Sequence, residues 1–99
     1  MNLGRMTAVI EGKRYDTETA TLLADNVVWD GHNFERNGRN TWLFKSPKGQ
    51  FFFAHRTMWQ GETDHIELCD EREAREFFEN QHNDTHVDYA KAFGEPAEG

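Results

Sequence analysis

Cys69 stands just ahead of a predicted helix start, where the helix N-terminus can stabilise a thiolate. The same position suits a small buried residue packing on Ala74, and that is the reading taken here. His65-x3-Cys69 and His82-x3-His86 present four nitrogen and sulfur ligands of the kind tetrahedral zinc accepts. A strand and a helix separate the two pairs, so no metal and no cofactor are expected. Asp64, Asp84 and Asp88 are too scattered for a catalytic carboxylate pair. The chain has no glycine-rich phosphate loop, no G-x-S-x-G and no H-E-x-x-H. No enzyme activity and no catalytic residue are expected.

What the chain does concentrate is negative charge. Its formal net charge is −7. Residues 1–61 carry eight Lys/Arg and six Asp/Glu, whereas residues 62–99 carry three against twelve. Asp70, Glu71, Glu73, Glu76 and Glu79 crowd one predicted helix, with Asp84 and Asp88 just beyond it. A solvated, solubilising face has this composition, and so does a surface aimed at a basic partner. Duplex DNA carries closely spaced negative charge, and its protein readers present basic channels. Carboxylates fixed on a helix can imitate that spacing. The seven residues named are therefore the expected partner-binding surface.

The opposite polarity also occurs. Arg36, Arg39, Lys45, Lys48 and Arg56 lie in or near an aromatic stretch. Basic residues contact phosphates and exposed aromatics stack bases. A nucleic-acid-binding accessory protein is therefore one alternative, and an antitoxin-like partner protein is another. The acidic C-terminal part repels a phosphate backbone, so direct nucleic-acid binding is not expected.

These residues must be held by a small fold. Ninety-nine residues make one domain, expected over 1–93 with a flexible tail at 94–99. A single cysteine excludes an internal disulfide and suits a reducing cytoplasm. No apolar run reaches membrane-spanning length. A monomeric cytoplasmic protein with no membrane association is expected. The stretch 41–56, TWLFKSPKGQFFFAHR, predicts the central β-hairpin. Ser46-Pro47-Lys48-Gly49 supplies its turn, with Trp42 and Phe44 on one face and Leu43 on the other. Phe51 and Phe53 oppose Phe52 in the same way. A helix is expected to cover one side of the hairpin and a loop the other.

Upstream, 7–10 and 14–15 predict a short hairpin, and 18–25 an amphipathic helix begun by Asp16 and Thr17 and stopped by Asn26. Val27, Val28 and Trp29 could open a strand, with Phe34 anchoring the loop that follows. Met58 and Trp59 read as a loop wedge. Downstream, 63–68 predicts the last strand, with Ile66 and Leu68 on one face. A helix follows over 70–81, with Asp70 and Glu73 approximating a capping box and Ala74, Phe77, Phe78 and Gln81 buried. A further helix is expected within 84–93 through Val87, Tyr89, Ala90 and Phe93. The sum is an α+β fold, a small antiparallel β-sheet with helices packed on one face.

Three segments together carry a family resemblance: Gly12-Lys13-Arg14-Tyr15-Asp16-Thr17-Glu18-Thr19-Ala20, the hairpin with its Lys48-Gly49 turn, and Ile66-Glu67-Leu68 leading to Glu71-x-Glu73-Ala74-Arg75-Glu76-Phe77. The chain resembles small YDTETA-type proteins of bacterial plasmids, phages and integrated elements, which combine that opening with an aromatic hairpin and an EAREF-like helix. The resemblance implies a mobile-element origin, where small acidic proteins often inhibit host defence, anti-CRISPR proteins among them. The expected partner is then a host CRISPR effector protein or complex whose DNA-binding channel is blocked by DNA mimicry.

Overall fold

The aromatic stretch folds as the hairpin that its propensity predicts. In the computed structural model, which describes residues 4–26, 39–57, 61–80 and 83–96, β4 (Arg39–Lys45) pairs antiparallel with β5 (Phe51–Thr57). Gly49 N–H donates to the Ser46 carbonyl at 2.9 Å, and Ser46 N–H donates to the Gln50 carbonyl at 2.8 Å. Gly49 sits at φ +94°, which closes a proline-initiated turn at no Cβ penalty. Val27–Trp29, Phe34, Met58, Trp59 and Gln81 lie outside the described residues.

The hairpin is the middle of a five-stranded antiparallel sheet. Its order is β6 (His65–Leu68), β5, β4, β3 (Thr21–Asp25), β7 (Asp84–Thr85). Side-chain alternation gives each face its own core. Leu43, Phe51 and the half-buried Phe53 face one way. Trp42, Phe44, Phe52, Ala54 and Ile66 face the other.

The 18–25 segment departs from the expected helix. The chain turns at 17–20, with the Thr19 and Ala20 amides donating to the Asp16 carbonyl, and then runs as β3. Leu22 packs into one core, and Leu23 and Ala24 into the other. A helix would bury a single stripe and leave β4 unpaired on its outer edge. Pairing that edge and filling both cores overrides the weak helical preference. A register shift between Leu22 and Ala24 delivers both Leu23 and Ala24 to the same core. Asn26 ends this strand rather than a helix: its Oδ1 accepts from the Thr41 amide at 2.8 Å.

The first core is covered by two helices, α1 (Glu71–Glu79) and α2 (Tyr89–Phe93). Asp70 and Glu73 form the capping box in full: Asp70 Oδ1 accepts from Glu73 N–H at 2.8 Å and Glu73 Oε1 from Asp70 N–H at 3.3 Å. Cys69 and Ala74 are buried together beneath this cap, beside Phe78. The 84–93 segment divides. Asp84 and Thr85 pair with β3 before α2 begins, because the edge of β3 is open. Val87, Tyr89 and Phe93 pack on this core as expected, but Ala92 is buried in place of Ala90, which is exposed. Lys45 reaches across to donate to the Ala92 carbonyl at 3.1 Å, satisfying a carbonyl at the helix end.

The opposite core is covered by the hairpin of β1 (Thr7–Ile10) and β2 (Lys13–Asp16), where a loop was expected. Met6, Ala8 and Ile10 pack inward beside the buried Tyr15. The fold is thus α+β, with both helices on one face of the main sheet. No helix among the described residues is long and apolar enough to cross a membrane.

Asp16 fastens the β1–β2 hairpin to the chain on either side. Its carboxylate accepts from Arg5 Nη2 at 2.7 Å and from the Glu18 amide at 2.9 Å. The Arg5 hydrogen bond first, and the Glu18 amide next, hold its carboxyl below the ordinary value of 3.8. A depressed carboxyl pKa adds stability that is full above the ordinary value and vanishes as pH falls through the lowered one. Asp16→Asn should therefore melt below the wild type at neutral pH. The gap should close as pH drops below about 4, read from paired thermal melts. A gap that widens in acid would refute this linkage.

Candidate partner-binding face

The capping box starts α1 at the β6 end of the sheet, and Ala74 and Phe78 seat it on the first core. The helix passes over β5, β4 and β3. With its buried side so fixed, its carboxylates must point outward. Asp70, Glu71, Glu73, Glu76 and Glu79 are all exposed, as are Asp84 and Asp88.

The seven residues do not behave alike. Asp70 and Glu73 are engaged in the cap. Glu71 bridges Arg75 at 2.6 Å and Glu76 bridges Arg72 at 3.3 Å, both i,i+4 and both exposed. Such surface pairs contribute about 0.3–0.5 kcal/mol, so a stronger cation can displace them. Glu79 lies beside Tyr89, whose pKa is raised first by desolvation and then by that carboxylate. Asp84 lies in β7 at the far sheet edge, and Asp88 caps α2 through its carbonyl, which accepts from the Lys91 and Ala92 amides. Asp70 stands beside β6 and Asp84 in β7, so the exposed carboxylates are spread across the width of the five-stranded sheet, on the order of 19 Å at one strand spacing per step. Two arginines against five carboxylates leave α1 and its cap at −3.

The other candidates fall elsewhere. Cys69 is buried, and desolvation, then Glu73, push its thiol up to about 12. The helix N-terminus therefore does not activate it. At pH 8 the native thiol should react with a disulfide reagent ~10³-fold more slowly than after unfolding, because the thiolate is correspondingly scarce. Equal rates in the two states would contradict the burial. His65 lies in β6 and His86 just after β7, at opposite edges of the sheet, and His86 Nε2 contacts Asp25 at 2.6 Å. His82 is outside the described residues, among which no group of three or more His, Cys, Asp or Glu is arranged to hold a metal. The hairpin aromatics Trp42, Phe44, Phe51 and Phe52 are buried and offer no stacking platform. Arg36 is outside the described residues, Lys45 is committed to Ala92, and Arg56 lies 3.5 Å from Asp64.

One arrangement escaped the sequence reading. Thr41 Oγ1 lies 3.0 Å from His55 Nδ1, and His55 Nε2 lies 2.9 Å from Glu67 Oε1. The His65 ring lies tilted against His55, with centroids 4.8 Å apart. Hydroxyl, imidazole and carboxylate follow the order used for nucleophile activation. However, Glu67 is 60% exposed and Thr41 sits in unstrained strand backbone. What the chain of bonds does is clip β4, β5 and β6 together. Only the strand register, which pairs Thr41 with His55 and His55 with His65, reveals it.

Compared with known proteins, the chain matches no family model, no curated protein and no solved structure.

Proposed function

We propose that this protein is a non-enzymatic inhibitor that binds a basic, DNA-reading channel through the acidic stripe of α1, as a DNA mimic of the anti-CRISPR kind. The observation that supports this reading is the exposed row of carboxylates on a helix whose other side is locked to the sheet. Such a row needs little reorganisation on binding, since its backbone is already fixed by a full capping box. Opposed potentials speed encounter and make association fall as salt rises. Glu71, Glu76 and Glu79 carry the contact, with Asp84 and Asp88 extending it. Asp70 and Glu73 hold the helix start and contribute field rather than direct contact.

The test is capture of an effector complex from a bacterial host lysate, followed by measurement of target-DNA binding by the captured complex. The expected result is salt-sensitive capture of a DNA-binding complex that no longer takes up target DNA. Captured complexes that bind DNA normally would exclude the mimicry.

A further inference from the structure

We propose that a cleft between β2 and the β4–β5 turn binds a compact phosphate-bearing ligand of nucleotide size. It lies on the β1–β2 side of the sheet, away from α1, and is independent of the acidic stripe. Its volume is about 590 Å³, within the 300–1,000 Å³ typical of small-molecule sites.

Charge singles this cleft out. Among the described residues, four Lys or Arg side chains make no ion pair or hydrogen bond: Lys13, Arg14, Lys48 and Lys91. Three of the four line this one cleft, and no described carboxylate does. Strand alternation puts Lys13 on the same side of β2 as Tyr15, the side turned to the main sheet. Arg14 borders the cleft from the next position, near enough to Asp16 to lower that carboxyl. Lys48 comes from the opposing turn. Hydroxyls complete the lining. The Tyr15 ring packs edge-on against Phe52 at 5.6 Å, and its hydroxyl has no described protein partner. The Ser46 hydroxyl oxygen accepts from the Gln50 amide at 3.0 Å, which leaves its proton free to be donated.

Cations on β2 and on the turn opposite it, with neutral donors between them, suit an anion with several oxygens. Phosphate accepts such charge-assisted bonds. The cleft is too roomy for one inorganic phosphate and fits a phosphate attached to a larger body. Pro47 fixes its φ and the Gly49 amide closes the turn on the Ser46 carbonyl, so the backbone that carries Lys48 is set before the ligand arrives.

The experiment is calorimetric titration of the full chain at low ionic strength with ADP, with pyrophosphate, and with a short single-stranded oligonucleotide. Saturable one-site binding of ADP is expected, weakened about tenfold for each lost charge-assisted bond in Lys13→Gln and Lys48→Gln. Lys91→Gln, a cation elsewhere on the surface, should bind as the wild type does. Amide shifts on ADP addition should centre on Gly12 and Gly49. The proposal is overturned if ADP fails to saturate at millimolar concentration, or if the Lys13→Gln/Lys48→Gln double variant binds equally well. It is also overturned if the oligonucleotide binds far more tightly with a steep salt dependence, since the cleft then tracks a nucleic-acid backbone. All three lysines are exposed, so melting temperature should stay near wild type and separate binding loss from misfolding.

Discussion

Phe52→Ala is expected to destabilise the protein by about 3–5 kcal/mol. Phe52 is 0% exposed at the centre of the second core. Its ring stacks on Phe44 at 5.4 Å and meets Tyr15 edge-on at 5.6 Å. Truncation removes both ring contacts and opens a cavity that β-sheet backbone on one side and the β1–β2 hairpin on the other cannot collapse to fill. Set against a total stability of about 5–15 kcal/mol, the loss should lower the melting temperature on the order of 15–30 °C. Phe53 and Phe77 are only half-buried and pack against each other at 5.2 Å. Truncating either should cost roughly half as much, because part of each ring already faces water. Val9→Ala, at a residue 70% exposed, should stay within about 0.5 kcal/mol of wild type. Thermal or urea unfolding of the four variants gives the ranking. A Phe52 variant that melts within a few degrees of wild type would mean that the two-faced sheet is wrongly drawn.

Changing Glu71, Glu76 and Glu79 to Lys together should abolish partner capture while leaving the fold intact. Each reversal adds two positive charges, so the net charge moves from −7 to −1. Folding should change little. Glu71 occupies the first turn of α1, where Lys opposes the helix dipole and its replacement costs about 0.3–1 kcal/mol. Glu76 and Glu79 lie toward the C-terminal end, where Lys is favoured by a similar amount. Losing the Glu71–Arg75 and Glu76–Arg72 pairs and gaining like-charge neighbours costs about 0.2–0.5 kcal/mol each. A basic channel, by contrast, would now face three cations at its centre, and like-charge juxtaposition costs several kcal/mol across an interface. Capture should fall at least a hundredfold, since about 2.7 kcal/mol corresponds to that factor. Circular dichroism and melting would confirm the fold. Full inhibition by the folded triple variant would remove α1 as the contact surface.

Local chemistry determined several features before any tertiary contact was known. The Asp70–Glu73 box is one, because both partners lie within a single turn and each accepts from the other's backbone amide. The hairpin is another: Pro47 and Gly49 set its turn, and strict alternation then assigns Trp42 and Phe44 to one core and Leu43 to the other. The Glu71–Arg75 and Arg72–Glu76 pairs follow from helical spacing alone. The concentration of carboxylates after Gly61 is also plain in composition. Segments 18–25 and 84–93 were decided by the fold. Each has an apolar pattern short enough to serve as helix or strand, and the open edges of β4 and β3 selected strand pairing for all or part of it. The same holds for the Thr41–His55–Glu67 clip and the Lys13–Lys48 cleft. Their members stand on different strands or turns, far apart along the chain; sheet register brings the first set together, and packing of the β1–β2 hairpin on the main sheet brings the second. Spacing along a sequence reports one turn of helix or one pleat of strand; it carries no information about which backbone edge remains unpaired until the neighbouring strands are in place.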